Sequence, residues 1–96
     1  MPGYVIFDIR ITDPDAYAPY RERAGATVEA YGGRYLVRGG AHEAIEGDWD
    51  PERVVVLEFP SVERAREWYH SPEYQEIAPM RQSASVSKGL IVEGAS

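Results

Sequence analysis

The sequence has no cysteine, which excludes a disulfide framework, a thiolate nucleophile and any metal site built on sulfur. Histidine is nearly as scarce. His42 and His70 are the only two, and they lack the close spacing of a histidine metal pair. Long apolar runs are missing as well: the longest clean one, Val54 to Leu57, is far too short to cross a bilayer. Basic residues are outnumbered, 10 Lys and Arg against 16 Asp and Glu, for a formal net charge of −6. A nucleic-acid backbone or an anionic membrane needs a basic face, so neither is expected as a partner. No glycine-rich phosphate loop is present, because Gly39-Gly40 precedes neither a Lys-Ser/Thr pair nor a helix start. No cofactor and no metal are therefore expected. Met1-Pro2-Gly3 runs straight into a strand without the basic and apolar segments of a signal peptide, so the expected location is the cytoplasm.

What remains is an ordinary globular composition, 44% hydrophobic and 27% charged over 96 residues. That length makes one domain, residues 1–96, with a limited core and reason to associate with a second copy. The organising stretch is Gly32-Gly33-Arg34-Tyr35-Leu36-Val37-Arg38-Gly39-Gly40. Its glycine pairs bracket a five-residue strand.

Before it, Tyr4 to Ile11 alternates as a strand. Val5, Phe7, Ile9 and Ile11 make one face, and Tyr4, Ile6, Asp8 and Arg10 the other. Thr12-Asp13-Pro14 starts a helix whose stripe is Tyr17, Tyr20, Ala24, Val28 and Tyr31. Pro19 either kinks this helix or moves its regular part to begin near residue 18. After the organising stretch, Gly39-Gly40 allows a bulge or a positive φ, and Glu43 to Glu46 is a candidate short resumption of pairing. Arg53 to Phe59 is the third strand, apolar enough to be central. Ser61 caps a helix carrying Val62, Ala65, Trp68 and Tyr69. Ser71-Pro72-Glu73 restarts it, with Tyr74, Ile77, Ala78 and Arg81 on one face. Val86 to Glu93 closes the sheet, and Gly94-Ala95-Ser96 reads as a loose tail.

A βαββαβ order in one short chain predicts an α+β, ferredoxin-like fold. Its four-stranded antiparallel sheet takes the order 4-1-3-2, with the helices on one face. The other face, with Tyr4, Ile6, Val54 and Val56, then needs a cover, and a homodimer supplies the simplest one.

The stretch at 32–40 together with Glu46-Gly47-Asp48-Trp49, Glu58-Phe59-Pro60-Ser61 and Trp68-Tyr69-His70-Ser71-Pro72-Glu73-Tyr74-Gln75 resembles the DUF1330 family of bacterial proteins of unknown function. The likeness covers nearly the whole chain. It implies the dimeric α+β barrel superfamily, a homodimer with two sheets facing each other, and no established activity. Superfamily relatives include cofactor-free monooxygenases, haem-degrading enzymes and small isomerases, so fold alone does not select a reaction.

Seven residues are candidates for a site in the barrel. Glu58, on a central strand, is a candidate general base with a raised pKa, and Asp8 on the neighbouring strand its companion. Arg38 and Arg81 are candidates to hold an anion. Tyr74 would help position the ligand, with Glu46 and Trp49 as further ligand contacts. The architectural alternative pairs Arg38 and Arg81 with internal acids, Glu46 and Glu58 foremost. His70 stands at a helix end, where a protonated imidazole suits the helix dipole, and that reading is preferred to a ligand role like that of a histidine in haem-degrading relatives. Two functions follow: an enzyme acting on a small anionic or phenolic organic molecule, or a non-catalytic metabolite-binding or structural homodimer.

Overall fold

Alternation and punctuation set the elements. The computed structural model describes residues 1–95. They form β1 (Gly3–Ile11), α1 (Pro14–Ala30), β2 (Arg34–Arg38), β3 (Val54–Phe59), α2 (Val62–Tyr69), α3 (Pro72–Ala84) and β4 (Ser85–Glu93). The sheet is antiparallel in the order β2-β3-β1-β4. This is the expected ferredoxin-like arrangement, with β1 and β3 in the centre.

Side-chain oxygens start all three helices. Asp13, Ser61 and Ser71 accept from the backbone N–H three residues on, and Pro14 and Pro72 occupy first-turn positions where a missing N–H costs nothing. Pro19 does not delay α1, which begins at Pro14 rather than near residue 18 and contains Pro19 within it. Gly32, at φ +79°, turns the chain out of α1, and Gly33 N–H closes onto Val28 O at 3.0 Å.

The core lies between the helices and one sheet face. Val5, Phe7 and Ile9 of β1 and Val55, Leu57 and Phe59 of β3 meet Tyr20, Val28, Trp68, Tyr74 and Ile77. The opposite face carries Tyr4, Ile6, Val54 and Val56, each partly exposed. Val86 at 64% and Leu90 at 56% exposure extend it along β4. An apolar sheet face of this extent is a surface that a partner normally hides.

Two local expectations are corrected, and a third, at Gly39, is met. Residues 43–46 form no strand and belong to an exposed loop. Gly39 has the predicted positive φ of +70°, but the sheet irregularity sits earlier. Tyr35 faces Leu57 and Val37 faces Val56, leaving Leu36 as the extra residue. Gly94 is buried and its N–H donates to Pro2 O at 2.8 Å, so the tail is tied down there. Ser96 lies outside the described residues.

Candidate ligand site

Arg81 sits seven residues after Tyr74 on α3, so helical spacing puts it on the buried stripe with Ile77 and Ala78. It is only 4% exposed. Its Nε donates to the Tyr74 hydroxyl at 3.3 Å and its NH1 to Ser87 Oγ at 2.6 Å, and its guanidinium lies 4.8 Å over the Phe7 ring. Among the described residues no carboxylate comes within ion-pair distance of it. Behind it, the Tyr74 and Tyr20 hydroxyls share a 2.8 Å hydrogen bond. The Tyr74 ring packs against Trp68 with centroids 4.1 Å apart.

The charge and the hydroxyls hold each other in one state. Burial pushes the Tyr74 hydroxyl above its ordinary pKa, and the Arg81 charge pulls back only part of that. Burial pushes Tyr20 far higher, with Tyr74 adding to the effect. Burial pulls the Arg81 pKa down, but the oxygens of Tyr74 and Tyr20 more than offset it, leaving a firmly protonated guanidinium. A permanent cation is thus held by neutral oxygens and an aromatic face.

In front of Arg81 a cleft of about 780 Å³ opens between the α2–α3 junction and β4. Tyr69, His70 and Gln82 rim it; Phe7, Ser87 and Gly89 line its sheet side. Gly89 faces Phe7 across β1 and β4, and a Cβ there would lie 2.6 Å from the Phe7 ring. The missing side chain is what lets Phe7 lie flat beneath the guanidinium. On the helix side β4 presents Ser85, Ser87 and Gly89, where β1 and β3 present large apolar residues. That run of small and polar residues at alternate positions is the sequence signal that locates the cleft. The sequence reading missed it, along with Tyr20.

The other sequence candidates lie elsewhere. Glu58 shares the open face with Val54 and Val56. It accepts from Arg34 Nε at 2.8 Å and from the Tyr4 hydroxyl at 3.2 Å. The bond from Arg34 holds its carboxyl below the usual value, although burial opposes this. The expected raised pKa is therefore corrected to a lowered one. Asp8 is on the same face but opposite Val54, four residues from Glu58 in register, roughly 13 Å along the strands. It accepts from Trp49 Nε1 at 2.9 Å, so the two acids are not companions. Trp49 and Glu46 belong to the exposed loop before β3, away from the cleft. Arg38 pairs with neither Glu46 nor Glu58. It lies over the Tyr35 ring on the helix side, at the β2 edge of the sheet, whereas Arg81 lies by β4 at the other edge. The two arginines do not form one site, and Arg81 faces the gap between helices and sheet rather than the sheet's open face. Among the described residues no group of acids, histidines or cysteines is arranged to hold a metal ion. No helix among them is long and apolar enough to cross a membrane.

Comparison with known proteins follows the fold. A protein of unknown function from Rhodopseudomonas palustris is 25% identical, with a TM-score of 0.78 over 99% of this chain and 83% of that one. At 16% identity, a putative antibiotic biosynthesis monooxygenase from Nitrosomonas europaea has a TM-score of 0.58 over 100% of both chains. SnoaB, a cofactor-independent oxygenase from Streptomyces nogalater, is 12% identical with a TM-score of 0.57, over 99% of this chain and 92% of that one. The last two likenesses show the fold alone. No curated protein matches the chain. The sequence profile of the domain of unknown function DUF1330 spans residues 2–95, and the chain belongs to that family.

Proposed function

We propose that the protein binds a small organic anion, a carboxylate or a phenolate, in the cleft before Arg81, as a homodimer joined through its open sheet faces. One observation carries this reading: a guanidinium buried to 4% exposure, without a carboxylate, at the floor of a cleft large enough for a small molecule. A buried charge normally has a partner, because removing it from water costs several kcal/mol, roughly, per ion. Hydroxyls and a ring supply part of that compensation here; the ligand's oxygen supplies the rest. The ligand's apolar body rests against Phe7 and Tyr69.

A catalytic version of the same reading is favoured by His70 on the rim of the same cleft, and by the likeness of fold to a protein described as a cofactor-independent oxygenase. In it, His70 accepts a proton from a phenolic substrate and Arg81 stabilises the oxyanion that forms. Glu58 has no part in either version, since its lowered pKa makes it a poor base at neutral pH.

The test is Arg81→Met, which keeps the volume and removes the charge. Because the arginine has no acidic partner to strand, stability should change by only about 1 kcal/mol. Salicylate affinity, read by calorimetry, should fall about 10-fold or more, the worth of a charge-assisted hydrogen bond. A drop in stability of about 3–5 kcal/mol, with salicylate binding unchanged, would assign Arg81 a purely structural role.

A further inference from the structure

A cluster of guanidiniums lies at the opposite edge of the sheet from Arg81, and the bulge in β2 brings Arg38 into it. Without the extra Leu36, Arg38 would share a face with Arg34, since side chains alternate. The bulge brings Arg38 opposite Val55, onto the helix side. There its NH2 donates to Arg21 O of α1 at 3.4 Å and its guanidinium lies 4.4 Å over the Tyr35 ring. Arg21 lies 5.3 Å over the Tyr17 ring. Arg53, just before β3, completes the group. Among the described residues its buried Nε has no hydrogen-bond partner. Gly39 makes room for it, because a Cβ at that glycine would collide with Arg53 NH1. The three arginines and Tyr17, Tyr20 and Tyr35 line one side of a void of about 20 Å³ between α1 and the sheet, whose remaining wall, with Phe7, Ile9, Leu57 and Trp68 among it, is apolar.

No ion pair neutralises any of the three among the described residues. Of the acids next to them in sequence, Glu22 is exposed on α1, and Glu52 accepts from Ile11 N–H at 3.1 Å. In a chain of net charge −6, three neighbouring guanidiniums without a carboxylate are unusual company. Every one of their nitrogens is a donor, so whatever completes the site must be an acceptor.

We propose that Arg21, Arg38 and Arg53 form a binding site for a phosphate group, distinct from the Arg81 cleft. The void holds about one water-sized atom, so one phosphate oxygen enters towards Arg53 Nε. The others lie between the exposed guanidiniums of Arg21 and Arg38. Three planar forks approaching from three elements suit a tetrahedral group with several charged oxygens better than a two-oxygen carboxylate.

The experiment follows the arginine Nε–Hε resonances by NMR while inorganic phosphate is titrated at constant ionic strength, with chloride and acetate as parallel titrants. The expected result is saturable movement of the Arg53 and Arg38 signals with phosphate, and affinity for acetate at least about 10-fold weaker. Arg21→Ala and Arg38→Ala, both at exposed side chains, should each weaken phosphate about 10-fold, the worth of one charge-assisted hydrogen bond. Arg81→Met should leave phosphate binding unchanged, which separates this site from the cleft. Non-saturating shifts, equal shifts with chloride or acetate, or full phosphate binding by the Arg21→Ala/Arg38→Ala double variant would overturn the proposal. In that case the void holds only water.

Discussion

The two faces of the sheet treat charge in opposite ways. On the open face, Glu58 is a partly exposed carboxylate with a full set of partners: two nitrogens of Arg34, at 2.8 and 2.7 Å, and the Tyr4 hydroxyl. On the helix face, Arg81 is more deeply buried yet meets only neutral groups. The ion-paired charge sits on the face with exposed apolar side chains; the one without a counter-charge among the described residues sits where a cleft reaches solvent. An ion pair on the outer face is complete as it stands; the cation inside the cleft is the basis of the proposed ligand site.

The widest test of that contrast concerns the cover. Ile6→Asp places a charge in the middle of the open face, on β1 between Val56 and Leu90. It should weaken self-association about 100-fold, in the range of a central interface residue. Sedimentation at micromolar concentration measures this, and a wild-type chain that sediments as a stable monomer would remove the dimer from the proposal.

Smaller effects belong on the helix face. Gly89→Ala must push the Phe7 ring from beneath Arg81 and should cost about 1–3 kcal/mol in denaturant unfolding, as overpacking does. Gly40 provides a control: a methyl group added there would have nothing within 4 Å, so Gly40→Ala should be close to neutral. Equal effects from the two substitutions would show that the Phe7 ring does not depend on Gly89.

The smallest effect is the pH dependence of Glu58. Its folded pKa lies below the ordinary value, so its contribution to stability is complete above the ordinary carboxylate pKa. That contribution fades as the pH falls through the folded value. Glu58→Gln should therefore flatten the acid limb of the stability profile and leave its alkaline limb unchanged. An acid limb identical to wild type would show that Arg34 and Tyr4 give the carboxylate no net preference for its charged form.

Much of the fold is legible in the residues themselves. Alternation in Tyr4–Ile11, the glycines at 32–33 and the repeated Ser-Pro start at 71–72 mark real boundaries, because each is a local backbone or capping requirement. Helical spacing also places Arg81 inside. It does not tell what lies across the gap on another element, so Glu46 and Glu58 look like plausible partners and are not. Arg38 illustrates a sharper limit. Simple alternation puts it with Arg34 on the open face, and one extra residue at Leu36 reverses that. Register, not the bulge, gives Glu58 to Arg34, which lies directly opposite it on β2. The separation of Arg38 from Arg81 was contained in the strand order all along, since β2 and β4 are opposite edges.

The hydrogen bond between Tyr20 and Tyr74 has a direction as well as a length. A guanidinium can only donate, so the Tyr74 oxygen receives from Arg81. Either hydroxyl can donate in the bond between them, and the field of the cation favours the Tyr74 hydrogen pointing away from it, towards the Tyr20 oxygen. The two O–H dipoles then line up head to tail, pointing away from the cation, and each strengthens the next. The arginine sets the orientation of a hydroxyl it never touches. Neutralising Arg81 would free both hydroxyls to reverse, and the interior of the protein would lose a fixed polar axis between α3 and α1.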